Sequence, residues 1–229
     1  MNKQPNNRMG YRIITEINRC SQEVIEKLKK YDTTLLADGA NTKVAMEHCI
    51  KPIIEGSRFV GPAITIKLTL GDSLLVSKAL DLAQAGDVIV VDGFGTDSNA
   101  LWGDLKSLIS KSKNLAGAVI DGAIRDKTNC QEIGFPIFCK YTVCSSSTKN
   151  SPGEINVPVT CGKMTVMPGD IIVADDNGIV VLPPDRLNEI MENAEKKHQN
   201  VEKIKKEILE GKYITDGFSK KMQELGYDM

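Results

Sequence analysis

The chain has 229 residues, of which 41% are hydrophobic and 26% charged, and its formal net charge is −1. That length suits one large domain, or a core with extensions, able to bury a sizeable interior. The near-neutral balance gives no general pull toward nucleic acid or acidic membrane, and aromatics at 5% with no interleaved basic stripe leave RNA and single-stranded DNA binding unsupported.

Taken in chain order, MNKQPNNRMG is polar, lacks an apolar h-region and predicts a flexible tail over 1–10 with no secretory leader. Ser21 predicts an N-cap for a helix whose Val24, Ile25 and Leu28 share one face. A second helix is expected in Thr33–Met46, interrupted near Gly39. From Pro52 the texture turns to short β-rich runs: RFVGPAITIKL, GDVIVVDG, LAGAVIDG, FPIFCKY, EINVPV, GDIIVAD and NGIVVLP. Helices are expected between them at 72–85, Leu101–Lys113 and Asp126–Ile133. After Pro183-Pro184, Asp185 is the expected N-cap of a charged helix with Leu187, Ile190, Met191 and Ala194 on one face and Gly211 as its stop. Such a helix serves equally to cover its own domain or to pack on a neighbouring subunit.

Many short strands with few helical crossovers predict an α/β fold with a mixed or layered β/β/α core, rather than a clean doubly wound sheet. The expected division is a tail over 1–10, one domain over 11–184, and a helical extension of it over 185–229. Two segments, Gly86–Asp92 and Gly169–Asp175, repeat a Gly-Asp turn feeding a strand that ends in Asp; converging turn chemistry explains this more simply than duplication. No run approaches about 18 apolar residues, so no membrane span is expected. The six cysteines form no CxxC pair, and only His48 and His198 are available to help build a zinc site. Reduced thiols and a cytoplasmic location are the expectation.

Chemistry concentrates between Asp92 and Asp126. Two apolar runs, Val88–Val91 and Ala118–Ile120, end in Asp-Gly; Gly103-Asp104 follows the first and Arg125-Asp126 the second. Arg125 offers a planar fork suited to a carboxylate, and Asp126 a hard oxygen for Mg²⁺ or Mn²⁺. Gly103 permits close backbone approach to an anion at a helix start, and Asp104 is placed to hydrogen-bond a metal-bound water or act as a base. By itself the Arg-Asp pair reads as readily as an ion pair at a helix start. GFGTDS lacks the third glycine of GxGxxG and a Walker lysine. His48 reads as a packing or capping residue, Cys130 as a bystander for want of a positioned histidine, and no lysine is singled out for Schiff-base chemistry.

Six motifs in order alter that balance: LLADGA at 35–40, GPAITI at 61–66, GDVIVVDG at 86–93, ALWGDL at 100–105, GAVIDGAIRD at 117–126 and GDIIVADDNGIVVLP at 169–183. Through them the stretch from Thr33 to Pro183 resembles the 4-hydroxy-4-methyl-2-oxoglutarate aldolase family, which includes the RraA-like regulators of ribonuclease E activity. The aldolases' spacing of Asp, twenty residues, then Arg-Asp is kept by Asp104 and Arg125-Asp126. The resemblance implies a layered β/β/α core of swivelling-domain type and assembly as a homotrimer or hexamer. It also implies divalent-metal-dependent cleavage of 4-hydroxy-2-oxo acids to pyruvate, with oxaloacetate decarboxylation through the same enolate. Backbone amides of Gly103, Asp104, Leu105 and Lys106 would hold the pyruvyl end, Arg125 the keto-acid oxygens and Asp126 the metal. Asp104 would act through a metal-bound water, joined by Asp38 from a neighbouring subunit. Lys106 departs from the apolar residue expected there, which bears on substrate preference. The alternative implied by the same family is a non-catalytic regulator that binds a ribonuclease.

Overall fold

The computed structural model describes residues 8–214 and 216–227, so most of the tail expected over 1–10 lies outside the described residues. Ser21 caps α1 (Gln22–Leu28) as its sequence predicts, its hydroxyl accepting from Val24 N at 3.4 Å. α2 (Thr33–Ala40) stops at Asn41, whose left-handed φ of 53° ends the helix short of the expected Met46. Then follow β1 (Lys51–Pro52), β2 (Phe59–Lys67), α3 (Leu74–Leu82), β3 (Val88–Trp102), α4 (Asp104–Ser112), β4 (Gly117–Ile124), α5 (Lys127–Ile133) and β5 (Ile137–Thr142). The second half holds β6 (Glu154–Ile155), β7 (Val159–Cys161), β8 (Met164–Val166), β9 (Ile171–Asp175), β10 (Gly178–Leu182), α6 (Leu187–Leu209) and α7 (Asp216–Glu224).

The main sheet has the order β1-β5-β4-β3-β2-β9-β10, with β6 also paired to β2. β2, β3, β4 and β5 run parallel, joined by α3, α4 and α5, as parallel neighbours require a crossover. β9 and β10 continue antiparallel from β2. All three crossover helices lie on one face, where Val76 and Leu80 meet Ile64, Ile89 and Ile120. On the other face Val88, Val90 and Val119 meet the β7–β8 hairpin and alternate residues of β9, Ile172 and Ala174. The fold is therefore the expected layered α/β type.

A further layer was not legible in the sequence. The other residues of β9, Ile171 and Val173, face α1, α2 and the start of α6 through Leu28, Leu36, Leu187 and Ile190. β9 is buried on both faces, which explains its uninterrupted apolar run. Gly39 makes this packing possible, since a Cβ there would stand 2.6 Å from Ile190 O and 2.9 Å from Ala194 N.

The repeated Gly-Asp segments prove to be one turn used twice. Asp87 donates its amide to Gln84 O (3.1 Å) and accepts from Gln84 N (2.7 Å); Asp170 does the same with Met167 (3.0 and 2.8 Å). At the far ends Asp92 and Asp175 accept from the amide two residues on, at 3.3 and 2.9 Å. β3 is parallel to its neighbours and β9 antiparallel, so the shared pattern is turn chemistry in two different settings.

Two helix starts differ from expectation. Leu101 and Trp102 end β3 instead of opening α4, because Trp102 pairs with Ile124 and is fully buried. Asp185 does not cap α6: Pro184–Arg186 form a 3₁₀ turn that moves the start to Leu187. Among the described residues all six cysteines are free, and no helix is long and apolar enough to cross a membrane.

Candidate functional site

A cleft of about 210 Å³ opens where β3 and β4 end, lined among others by Gly103, Asp104, Lys106, Arg125, Asp126 and Ser146. Its floor is Trp102, stacked on Phe135 at 6.2 Å, with the indole Nε1 donating to Ser107 Oγ at 2.9 Å. The two strand ends are tied by Arg125 N donating to Trp102 O at 3.0 Å, which brings residues distant in sequence to one rim.

Asp126 has φ 55°, a left-handed conformation uncommon outside glycine, and occupies the N-cap position of α5 without capping it. Its Oδ2 meets Arg125 Nε at 3.0 Å instead. Backbone strain here holds a carboxylate at the cleft, the kind of place where such strain concentrates. A Cβ on Gly103 would lie 2.8 Å from Asp126 Oδ2 and 3.3 Å from Arg125 Cγ, so the missing methyl keeps the space beside that carboxylate open. Asp104 begins α4; its Oδ1 accepts from Leu105 N at 2.7 Å and its Oδ2 from Asn129 at 3.2 Å. Arg125 also donates to Ser146 Oγ at 3.3 Å.

The structure thus gathers Gly103, Asp104, Leu105, Lys106, Arg125 and Asp126 around one cavity. Asp38 does not join them within the chain: it stands on α2 and pairs with Lys197 of α6 at 3.4 Å. His48 is exposed and is not among the cleft's lining residues. Burial raises the Cys130 thiol above its ordinary range, so it is no thiolate nucleophile at neutral pH. Ser146, Ser147, Lys149 and Asn129 went unread in the sequence. The 144–150 stretch looks like an ordinary polar loop, and its bridges to Asp72 and Ala100, with the bonds that Asp72 and Asn99 make to it, bring it over the cleft.

Lys106 takes a larger place than its motif position suggests. Its ammonium reaches Ser73 Oγ at 3.3 Å, and burial first, then the charges of Lys149 and Arg125, bring its pKa down to about 8.

Among the described residues no cluster of three or more acidic, histidine or cysteine side chains forms a complete metal cage. Asp126 and Asp104 nonetheless suit a hard divalent ion, because Mg²⁺ sites commonly use one or two carboxylates and leave other positions to water and substrate. The space preserved by Gly103 agrees with such a ligand.

The family model described as RraA-like, Aldolase/RraA, matches residues 32–181. A protein of Halalkalibacterium halodurans named as a candidate 4-hydroxy-4-methyl-2-oxoglutarate aldolase is 36% identical over 200 residues, covering 87% of this chain and 95% of that one. Among solved structures, an uncharacterised protein of Pseudomonas syringae pv. tomato superposes with a TM-score of 0.78 at 26% identity, covering 86% of this chain and 92% of that one. Streptomyces coelicolor RraAS2, described as an unusual member of the RNase ES inhibitor RraA family, superposes with a TM-score of 0.74 at 28% identity, covering 83% and 99%.

Proposed function

Because this chain belongs to the RraA-like family, we propose that its cleft is the site of a divalent-metal-dependent lyase. The reaction cleaves 4-hydroxy-2-oxo acids to pyruvate and decarboxylates oxaloacetate. The observation that carries this reading is the convergence of Asp104, Arg125 and Asp126 on the space kept open by Gly103.

Asp126 would hold Mg²⁺ or Mn²⁺, with Asp104 contributing through water; when bound, the ion supplies Lewis-acid withdrawal at the substrate's 2-oxo group. Arg125 binds the carboxylate and 2-oxo oxygens and stabilises the negative charge that gathers on the oxygen as the C3–C4 bond breaks. Asp104, oriented by Asn129, takes the proton of the 4-hydroxyl as that carbon becomes a carbonyl, and a proton returned to C3 completes pyruvate. With oxaloacetate, CO₂ departs instead and the same C3 is protonated. The Leu105 amide, now engaged by Asp104, becomes available to a substrate carboxylate once Asp104 turns to its task.

This reading includes a homotrimer or hexamer in which Asp38 from an adjoining copy faces the cleft, and a cytoplasmic location where the six thiols stay reduced. Purified protein with Mg²⁺ or Mn²⁺ should release pyruvate from oxaloacetate or a 4-hydroxy-2-oxo acid, and Asp126→Ala should stop it while leaving the fold intact. No turnover above the metal-only control with either substrate class refutes it. The similarity to RraAS2 supports a second reading, a regulator that binds a ribonuclease. A pull-down that recovers no ribonuclease, from cells with clear lyase activity, removes that reading.

A further inference from the structure

We propose that the cleft carries a second anion subsite, lined by Lys106, Lys149 and Ser147 and supported from beneath by Ser73, which takes a phosphoryl group of the substrate beyond the keto-acid oxygens that Arg125 binds. The proposal rests on the cleft being a substrate site and adds to it the class of substrate: a 2-oxo acid with a terminal phosphate monoester.

The side chains are held for a purpose that the fold itself does not use. Ser73 is 1% exposed and sits at the N-cap of α3, yet its hydroxyl caps nothing. Asp72 takes over that work, accepting from Leu74 N at 2.8 Å. The Ser73 hydroxyl is instead 2.7 Å from Ser147 Oγ and 3.3 Å from Lys106 Nζ.

The loop bearing Ser147 and Lys149 is fixed from below. Asp72 Oδ2 accepts from Thr148 Oγ1 at 2.8 Å, Asn150 N at 2.8 Å and Ser151 N at 3.0 Å. Ser73 N donates to Thr148 O at 3.0 Å. A buried carboxylate spent on three donors of one loop is a rigid support for the side chains above it.

Charge then identifies the ligand. Arg125 is paired with Asp126, whereas Lys106 and Lys149, among the described residues, form no ion pair although both line the same cleft. Two ammonium groups without an ion-pair partner on one cleft call for an anion. A lysine ammonium binds phosphate as a point charge, and with the Arg125 fork turned to the keto-acid oxygens the two lysines are left for a second anion. A phosphate monoester also brings three acceptor oxygens, enough to occupy both ammonium groups and the Ser147 hydroxyl together.

The test uses inorganic phosphate as probe, titrated into the full chain by calorimetry, so that it reads binding without turnover. Wild-type protein should bind it, and Lys106→Met and Lys149→Met should each weaken binding about tenfold or more, the loss expected of one charge-assisted hydrogen bond. Lys149 is exposed, so its variant keeps the test usable if Lys106→Met melts early. Unchanged phosphate affinity in both variants overturns the subsite, as does succinate binding as tightly as phosphate. Phosphate binding weakened by Arg125→Lys but by neither lysine variant also overturns it, since the probe then sits at the keto-acid end. Phosphate binding that depends on both lysines, in a protein that releases no pyruvate, supports the subsite while removing the lyase reading.

Discussion

Gly103→Ala separates the site from its scaffold more cleanly than loss of any charged group. The backbone at Gly103 has φ −170° and ψ −168°, extended values that alanine adopts freely, so the change costs no backbone strain. The new Cβ would meet Asp126 Oδ2 at 2.8 Å, well inside an ordinary contact of about 3.5 Å, and Arg125 Cγ at 3.3 Å. Relief therefore requires the Asp126 carboxylate to shift by somewhat more than half an ångström. A misplacement of about 1 Å in a catalytic group costs on the order of a hundredfold, so kcat/KM should fall about ten- to a hundredfold. Stability should hold, because the displaced atom ends a side chain at a cleft rim and alanine also restricts the unfolded chain by about 0.4–1 kcal/mol. The measurements are pyruvate release in a coupled assay, Mn²⁺ affinity by calorimetry, and thermal melting. Undiminished turnover refutes the placement of Asp126; a collapse in melting temperature refutes the separation. Gly117→Ala is the contrasting control, since its Cβ would stand 2.3 Å from the Phe59 ring in the core and should cost at least about 1–3 kcal/mol.

Arg125→Lys should lower kcat/KM by about 10²–10³ without loss of fold, because a point charge cannot replace a two-pronged contact; a few-fold effect in steady-state kinetics would count against its role. Gly39→Ala should cost about 1–3 kcal/mol in denaturant unfolding, since the clash is with the backbone of α6 and no rotamer relieves it. Arg19→Met should destabilise by about 3 kcal/mol or more, because it leaves the Asp87 carboxylate, with its side chain 0% exposed, without the guanidinium that now meets it at 2.8 Å. Glu47, held by Lys140 and Lys163, has its pKa drawn down to about 2. A depressed folded-state pKa stabilises above the unfolded value near 4.5 and fades as pH falls toward 2. The melting difference between wild type and Glu47→Gln should accordingly be full at pH 7 and shrink below pH 4.5; a difference independent of pH would contradict this ion-pair origin.

Local chemistry was what the sequence displayed best. Ser21 and the paired Gly-Asp turns were readable because their partners lie within three residues. The boundary at Trp102 was misjudged because helix-compatible spacing there yields to a strand partner in β4, a contact set by tertiary register. Asp185 reads as a cap, but the 3₁₀ turn begun at Pro184 leaves it one residue before the cap position, which Arg186 takes. The Asp104 and Arg125-Asp126 set was visible as a motif. Lys149 and the serines were not, since a polar loop after β5 shows nothing of the buried Asp72 that anchors it. The significance of Lys106 emerged only with Ser73, thirty-three positions away, beside its ammonium.

The helical cover on β9 and β10 has a consequence for anyone who trims this chain to the 32–181 stretch that the family shares. Cutting there removes α1, Leu182 and the Leu187, Ile190 and Ala194 ridge, and uncovers Ile171, Val173 and Val180 on the outer two strands of the sheet. Met46 N and Val181 N still tie β10 to the 44–46 segment, at 2.9 Å each, so what the cut exposes is the sheet's face, an aliphatic patch on which molecules associate. Such a fragment would be sticky before it was inactive, and the region most easily taken for an appendage is what keeps this face of the sheet covered.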